Sequence, residues 1–169
     1  MKMQFQPVLN NAEVEKIIHG TYQGVLCMAD NNAPYALPIN HAFKDGKFYF
    51  HCAPTGIKLE IINKNPNVTY VISKYYGDPA HFEASQKCHG FWESVIAYGK
   101  ATVITGKEEQ LAAFKTFMAY YGTEDYAPAE NFFETTRAIV IEVEKMTARR
   151  EYEEHRTDYW HWEKVQPET

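Results

Sequence analysis

The short segment PTGIK, residues 54–58, combines residue types that bind anions. It follows a predicted strand and opens a predicted helix over residues 55–64, whose first-turn N–H groups have no intrahelical partner. The helix dipole favours negative charge at this end, Gly56 lets a ligand approach the backbone, Thr55 offers a hydroxyl, and Lys58 adds a positive charge. The spacing alone leaves two interpretations open: an ordinary capped helix with an exposed Lys58, and a corner that holds a phosphate.

Other polar side chains near this segment have both a structural and a functional interpretation. His41 and His51 are either polar residues of a barrel or contacts to a ligand. Asn40 has a low strand propensity, which favours a ligand contact. Cys27 and Cys52 are interpreted as small core residues rather than nucleophiles.

A second group of residues consists of histidines and a cysteine, which can bind metals, but their spacing is not that of a known metal site. His81, Cys88 and His89 occur in a polar stretch, residues 78–92, that has no clear period. Their spacing matches no established zinc finger, so we interpret the stretch as a loop or flap and predict no metal site.

Composition and charge exclude several classes of protein. The chain has 169 residues, enough for one domain with its own core. Its net charge is -5 and its few arginines all lie beyond residue 136, so nucleic-acid binding is not expected. Three cysteines without a CxxC spacing, no signal peptide and no apolar run of membrane-spanning length predict a cytoplasmic protein.

Periodicity and turn signals predict an α+β, mainly antiparallel β protein. The first predicted elements are a helix over 11–19 capped by Asn11 and a three-stranded meander over 22–53 with an Asp45-Gly46 turn. A helix over 55–64 and strands over 68–73 and 93–105 follow. The last predicted elements are a helix that begins with a capping box at Thr105 and a strand from Arg137, and one face of this helix carries Leu111, Phe114, Met118 and Tyr121. Gly99 in the middle of a strand predicts a bulge or a close backbone approach.

The order of these motifs resembles the flavin-binding split barrels related to pyridoxamine 5′-phosphate oxidase, and in particular their nitroimidazole-resistance-like members. The stretches that carry the resemblance are YQGVLCMADNNAPYALPINHAFKDGKFYFHCAPTGIKLEIINKNPNV and ESVIAYGKATVIT, which together cover about residues 21–106. The resemblance implies an antiparallel split β-barrel domain over residues 1–148. Residues 149–169 remain as an aromatic tail, whose Trp160 and Trp162 either cover a flat ligand or dock on a partner subunit.

The resemblance also implies a site, with FMN bound across the barrel at a homodimer interface. The residues implied to contact the flavin are Pro38, Ile39, Asn40 and His41 along the ring, His51, Cys52 and Ala53 beside the ribityl chain and phosphate, Thr55, Gly56 and Lys58 at the phosphate, and Ser94 from a neighbouring strand. No dedicated catalytic acid stands out, and His41 or water is the expected proton donor.

One position departs from the pattern, because many relatives have an arginine where this chain has Ile57. A planar phosphate partner is then missing, and Arg149 or Arg150 is a candidate to replace it. Three functions stay open: an FMN-dependent oxidoreductase acting on small nitro-aromatic or similar acceptors, a flavin-binding redox module without fast turnover, and a haem-binding split barrel.

Overall fold

The computed structural model describes residues 9–76, 92–153 and 156–163, with side chains as far as residue 151. The described strands are β1 (Gln23–Asp30), β2 (Ala33–Asn40), β3 (Ala42–Lys44), β4 (Lys47–Cys52), β5 (Asn67–Tyr75), β6 (Trp92–Ile104), β7 (Arg137–Glu153) and β8 (Arg156–Glu163). The described helices are α1 (Asn11–His19), α2 (Ile57–Lys64), α3 (Lys107–Tyr120) and α4 (Phe132–Thr135). Within these residues, no helix is long and apolar enough to cross a membrane.

All the strand pairs are antiparallel, in the order β2-β1-β5-β6-β7-β4-β3, and β8 pairs with β7. The two ends of this order, β2 and β3, are consecutive in the chain and joined by His41 alone. The sheet must therefore curl round to bring its ends together. This arrangement confirms the predicted antiparallel split barrel.

The predicted meander over residues 22–53 is wrong in one respect. The segment predicted as its second strand bends at His41: β2 pairs with β1, whereas β3 pairs with β4 at the other end of the sheet. At the bend His41 and Ala42 are both fully buried, so the alternation of a regular strand is broken there.

The barrel interior is filled by alternating apolar residues. The largest fully buried side chains include Leu26, Phe48, Phe50, Tyr70 and Ile72. In β6 the register against β7 shifts between Tyr98 and Gly99, which confirms the predicted bulge. A Cβ at Gly99 would lie 2.1 Å from the carbonyl oxygen of Glu142, so only glycine fits there.

Helix α1 has its predicted bounds but another cap. Asn10 accepts a hydrogen bond from the N–H of Glu13, and the Glu13 carboxylate accepts one from the N–H of Asn10. This reciprocal pair needs a glutamate three residues after the cap, which Asn10 has and Asn11 lacks. The prediction of Asn11 as the cap is therefore wrong.

The start of α3 and its buried face also differ from the prediction. Its N-cap is Gly106, without a side-chain cap, so the capping box at Thr105 does not form. The residues that α3 buries are Gln110, Ala113, Phe114 and Phe117, so only Phe114 of the predicted face is fully buried. Because Gln110 is polar, the apolar periodicity of the sequence does not identify the face of α3 that is buried.

At the C-terminal end, β7 continues to Glu153 and pairs with β8. The domain boundary predicted after residue 148 falls inside β7, and part of the predicted tail extends the sheet. The loop predicted at residues 78–92 lies outside the described residues except for Trp92, which begins β6. His81, Cys88 and His89 lie outside them as well.

Candidate functional site

The predicted anion-binding corner lies between the end of β4 at Cys52 and the start of α2 at Ile57. The helix begins two residues later than predicted, because Gly56 has a φ of 133° and is its N-cap. This conformation is one that glycine adopts readily and other residues rarely do. Among the described residues no side chain caps the helix, and a Cβ added at Gly56 would meet nothing within 4 Å. The N–H groups of Leu59 and Glu60 bond to the Gly56 carbonyl oxygen at 3.0 and 3.3 Å, which leaves those of Ile57 and Lys58 as the donors at this open helix start.

Two cations flank this corner. Lys58 is half-buried in the first turn of α2. Arg137 is the Cα partner of Cys52 in the β4–β7 ladder. Arg137 lines a pocket of about 290 Å³ together with Thr55 and Gly56. A residue at the start of β7 thus reaches a corner built from the β4–α2 connection.

The thiol of Cys52 lies between these charges but stays protonated. Burial raises its pKa, and the positive charges of Lys58 and Arg137 oppose that rise without overcoming it. A thiol with a raised pKa is a poor nucleophile. This agrees with the interpretation of Cys52 as a small, partly buried packing residue.

His51 and Ala53, the neighbours of Cys52 in sequence, are both exposed. The His51 ring packs edge-on against Phe117 of α3, with ring centroids 4.8 Å apart and an angle of 84°. Partial burial against this helix lowers the pKa of His51 below its ordinary value. His51 is therefore a mainly neutral, exposed ring beside the corner, available for contact with a ligand.

His41 occupies a different position, in the barrel wall with no exposed surface. Its Nδ1 lies 2.9 Å from the Tyr70 hydroxyl and its Nε2 3.3 Å from the carbonyl oxygen of Ile18. Burial is the main reason that the pKa of His41 falls to about 4, so the ring is neutral at pH 7. A buried, neutral ring is poorly placed to deliver a proton to a ligand, which disfavours His41 as the proton donor.

Of the contacts predicted along β2, Pro38 and Asn40 lie on the outer surface of the barrel, whereas Ile39 packs against the core. Pro38 and Asn40 alternate with inward residues of β2 and are exposed. The Asn40 side chain accepts a hydrogen bond of 3.2 Å from Gln23 on β1. The backbone carbonyl of Ile39 accepts one of 2.9 Å from Tyr70. Asn40 and Pro38 thus present side chains outward, whereas the Ile39 carbonyl already has a protein partner.

Ser94 lies far from the corner within one protomer. It pairs with Arg149 near the start of β6, whereas the corner lies beyond the end of β6, where Ile104 pairs with Ala138. Ser94 and Ile104 are separated by about 33 Å of extended strand. FMN is much shorter than this, so one flavin does not contact both Ser94 and the corner of the same protomer.

Sequence reasoning did not identify Arg137 and favoured Arg149 or Arg150 as the missing cation. Arg150 forms an ion pair of 3.1 Å with Glu13 of α1. Arg149 pairs in register with Ser94, away from the corner. The sequence carries no local signal for Arg137, because its proximity to the corner depends on the pairing of β4 with β7.

The fold and this corner define a split-barrel protein with an open, cationic connection between β4 and α2. The family model described as pyridoxamine 5′-phosphate oxidase matches residues 10–150. The chain therefore belongs to this family. No curated protein sequence matches it significantly.

Solved structures show the same fold at low sequence identity. A candidate 5-nitroimidazole antibiotic resistance protein of Bacteroides thetaiotaomicron has a TM-score of 0.71 at 22% identity, covering 88% of each chain. A FAD-binding protein of Mesorhizobium loti has a TM-score of 0.63 at 19% identity, covering 85% of this chain and 96% of its own. A FAD and haem binding protein of Mycobacterium smegmatis has a TM-score of 0.68 at 9% identity, covering 95% of this chain and 86% of its own.

Proposed function

We propose that this protein binds FMN and uses it to reduce small nitro-aromatic or similar acceptors. The observation that carries the proposal is the open start of α2, where Gly56 leaves backbone donors uncapped beside Lys58. Such a helix start binds phosphate through its free N–H groups and its dipole. Membership of the pyridoxamine 5′-phosphate oxidase family and the names of the flavin-binding structural neighbours support a flavin as the molecule that carries this phosphate.

In this proposal the flavin supplies the hydride or electron transfer, and the protein positions it. Thr55, Gly56 and Lys58 bind the phosphate. His51, Cys52 and Ala53 line the path from the phosphate toward the ring. Because His41 is buried, a solvent molecule is the proton source that the geometry favours.

We further propose that the protein acts as a homodimer with the flavin at the subunit interface, in the cytoplasm. The outer face of the barrel carries an apolar row across four strands, in which Pro38 pairs with Val25, Val25 with Val71, and Val71 with Ile96. Val25 is 38% exposed. A second copy on this face would cover the row and bring its own Ser94 toward the flavin of the first. Because Ser94 and the corner of one protomer are too far apart for a single flavin, a contact between Ser94 and the flavin requires such a second copy.

The dimer is tested by placing a charge in this row. Val25→Glu should convert a dimer of about 40 kDa, twice the 19.6 kDa chain, into monomers in sedimentation velocity. Thr123→Glu, in an exposed loop after α3, is the control and should stay dimeric. A wild-type protein that sediments as a monomer at micromolar concentration would refute the dimer.

A visible absorption spectrum tests the class of cofactor. The purified protein, supplied with FMN and passed through a desalting column, should show flavin bands. A Soret band after incubation with haem would favour the haem-binding alternative, for which the name of the mycobacterial neighbour gives a reason. Turnover of nitro compounds with NADH or NADPH then separates an oxidoreductase from a flavin-binding module without fast turnover.

Lys58→Ala tests the phosphate corner. A hydrogen bond to a charged group is worth about 1.5–3 kcal/mol, so FMN affinity should fall about ten- to a hundredfold. Riboflavin, which lacks the phosphate, should bind almost as before. Lys64→Ala is the matched control, since Lys64 lies at the other end of α2 and pairs with Asp30 at 2.8 Å. An FMN affinity within twofold of wild type, or an equal loss for both ligands, would leave Lys58 as an ordinary helix residue.

A further inference from the structure

The side chain next to Lys58 in the corner provides no charge. Ile57 is 58% exposed and apolar. A phosphate monoester carries close to two negative charges near neutral pH. One lysine and a set of backbone dipoles therefore leave room for a second cation at this site.

Arg137 is placed to be that cation. It stands opposite Cys52 in the ladder and lines the same pocket as Thr55 and Gly56. Its Nη1 donates hydrogen bonds to the carbonyl oxygens of Phe133 and, at 3.0 Å, Thr136. Both bonds come from Nη1, so among the described residues the edge formed by Nε and Nη2 has no hydrogen-bond partner. This is an edge with which arginine binds phosphate in a bidentate manner.

We propose that Arg137 is a second phosphate-binding residue of the corner and selects a flavin with a terminal phosphate over riboflavin. This inference rests on the proposed function. The hydrogen bonds to Phe133 and Thr136 fix the guanidinium before the ligand arrives, which reduces the entropy lost on binding. Lys58 then acts as a mobile point charge and Arg137 as a fixed planar partner.

The other charged group that lines the pocket is Glu60 of α2. Its carboxylate opposes anion binding, but its side chain is exposed and its effect is weakened by solvent and salt. Lys58 does not line this pocket, but its charge and that of Arg137 both act on the Cys52 thiol beside it. The two cations therefore flank the corner from different sides, and Glu60 offsets part of their charge.

The test measures affinity for FMN and riboflavin by flavin fluorescence, at fixed ionic strength, for four proteins. These are the wild type, Arg137→Gln, Arg137→Lys and Lys47→Gln. The last is the control, because Lys47 lies at the opposite end of β4 from the corner and pairs with Glu142 at 3.6 Å. Thermal unfolding of each variant checks that it is folded.

We expect Arg137→Gln to weaken FMN binding about ten- to a hundredfold while riboflavin changes less than twofold. Arg137→Lys should recover part of the loss, and Lys47→Gln should leave the ratio of the two affinities unchanged. If Arg137→Gln does not fold, Arg137→Lys decides, since it keeps the charge and loses only the planar edge. A selective loss of FMN affinity in that variant supports the inference, and an unchanged ratio overturns it.

The outcomes separate this inference from the proposed function. A wild type that binds neither flavin refutes the proposed function and the inference together. A wild type that prefers FMN, with the preference intact in both Arg137 variants, overturns only the role of Arg137. A loss of selectivity in Lys47→Gln, and not in the Arg137 variants, would place the phosphate elsewhere on the protein.

Discussion

The buried imidazole of His41 should make the stability of this protein depend on pH between about 6.5 and 4. Burial lowers the pKa of His41 to about 4, the positive charge of His19 acts in the same direction, and the hydrogen bond to the Ile18 carbonyl opposes both. The unfolded chain binds a proton below its ordinary pKa of 6.5, whereas the folded chain does not until about pH 4. Stability from this group is therefore complete above pH 6.5 and is lost as the pH falls toward 4.

The size of the effect follows from the separation of the two pKa values. One pKa unit corresponds to about 1.4 kcal/mol, so the full loss is about 3 kcal/mol, of which about 2 kcal/mol is lost between pH 7.5 and pH 5. For a chain of this length, a loss of 2 kcal/mol lowers the melting temperature by about 4–8 °C. A loss of about 2 kcal/mol is a large share of the free energy of unfolding of an ordinary domain.

The assay compares wild type with His41→Gln by urea unfolding at pH 7.5, 6.5, 5.5 and 5.0, at one protein concentration because a dimer's stability depends on it. Glutamine is neutral throughout this range. The other histidines contribute to both proteins, so the difference between the two pH profiles isolates His41. The wild type should lose about 2 kcal/mol more than the variant between pH 7.5 and 5.

Parallel profiles for the two proteins would show that His41 titrates normally, and would refute the argument from burial. If His41→Gln is not folded, the imidazole resonances of the wild type give the same answer. A neutral His41 ring at pH 5 supports the prediction, and a protonated ring contradicts it.

Three further predictions concern other parts of the chain. Gly99→Ala should destabilise the protein by about 1–3 kcal/mol in urea unfolding, because the new Cβ would lie 2.1 Å from the Glu142 carbonyl oxygen, and an unchanged midpoint would contradict this contact. Asn10→Ala should cost about 1 kcal/mol by removing the capping box with Glu13, whereas an equal loss in Asn11→Ala would contradict the assignment of the cap. Glu60→Gln should raise FMN affinity up to about fivefold at low salt and less at high salt, and a weaker affinity would show that Glu60 does not oppose the phosphate.

The barrel could be predicted from sequence because its strands carry local signals. The Asp45-Gly46 turn fixes one hairpin, and Gly99 marks the bulge that the structure shows. The bend at His41 also left a signal, since the inward positions change from odd numbers, as at Ile39, to even numbers, as at Ala42. A histidine in a strand also indicates a possible ligand contact. The structural role of His41 could not be predicted from local sequence, because its partners Tyr70 and Ile18 lie far away in sequence.

The corner shows where local signals end. The backbone of the site has a local sequence signal, because Gly56 adopts the positive φ at which the connection enters α2. The charges of the site have no such local signal, because Arg137 reaches the corner only through the pairing of β4 with β7. A cation lost beside Lys58 need not be replaced by a neighbour in sequence, since any strand that ends at the corner can provide one. Among the described arginines, Arg137 lies at the start of β7 and so reaches the corner. Arg149 and Arg150 lie near the other end of β7, where Arg149 pairs in register with Ser94 and Arg150 forms an ion pair with Glu13.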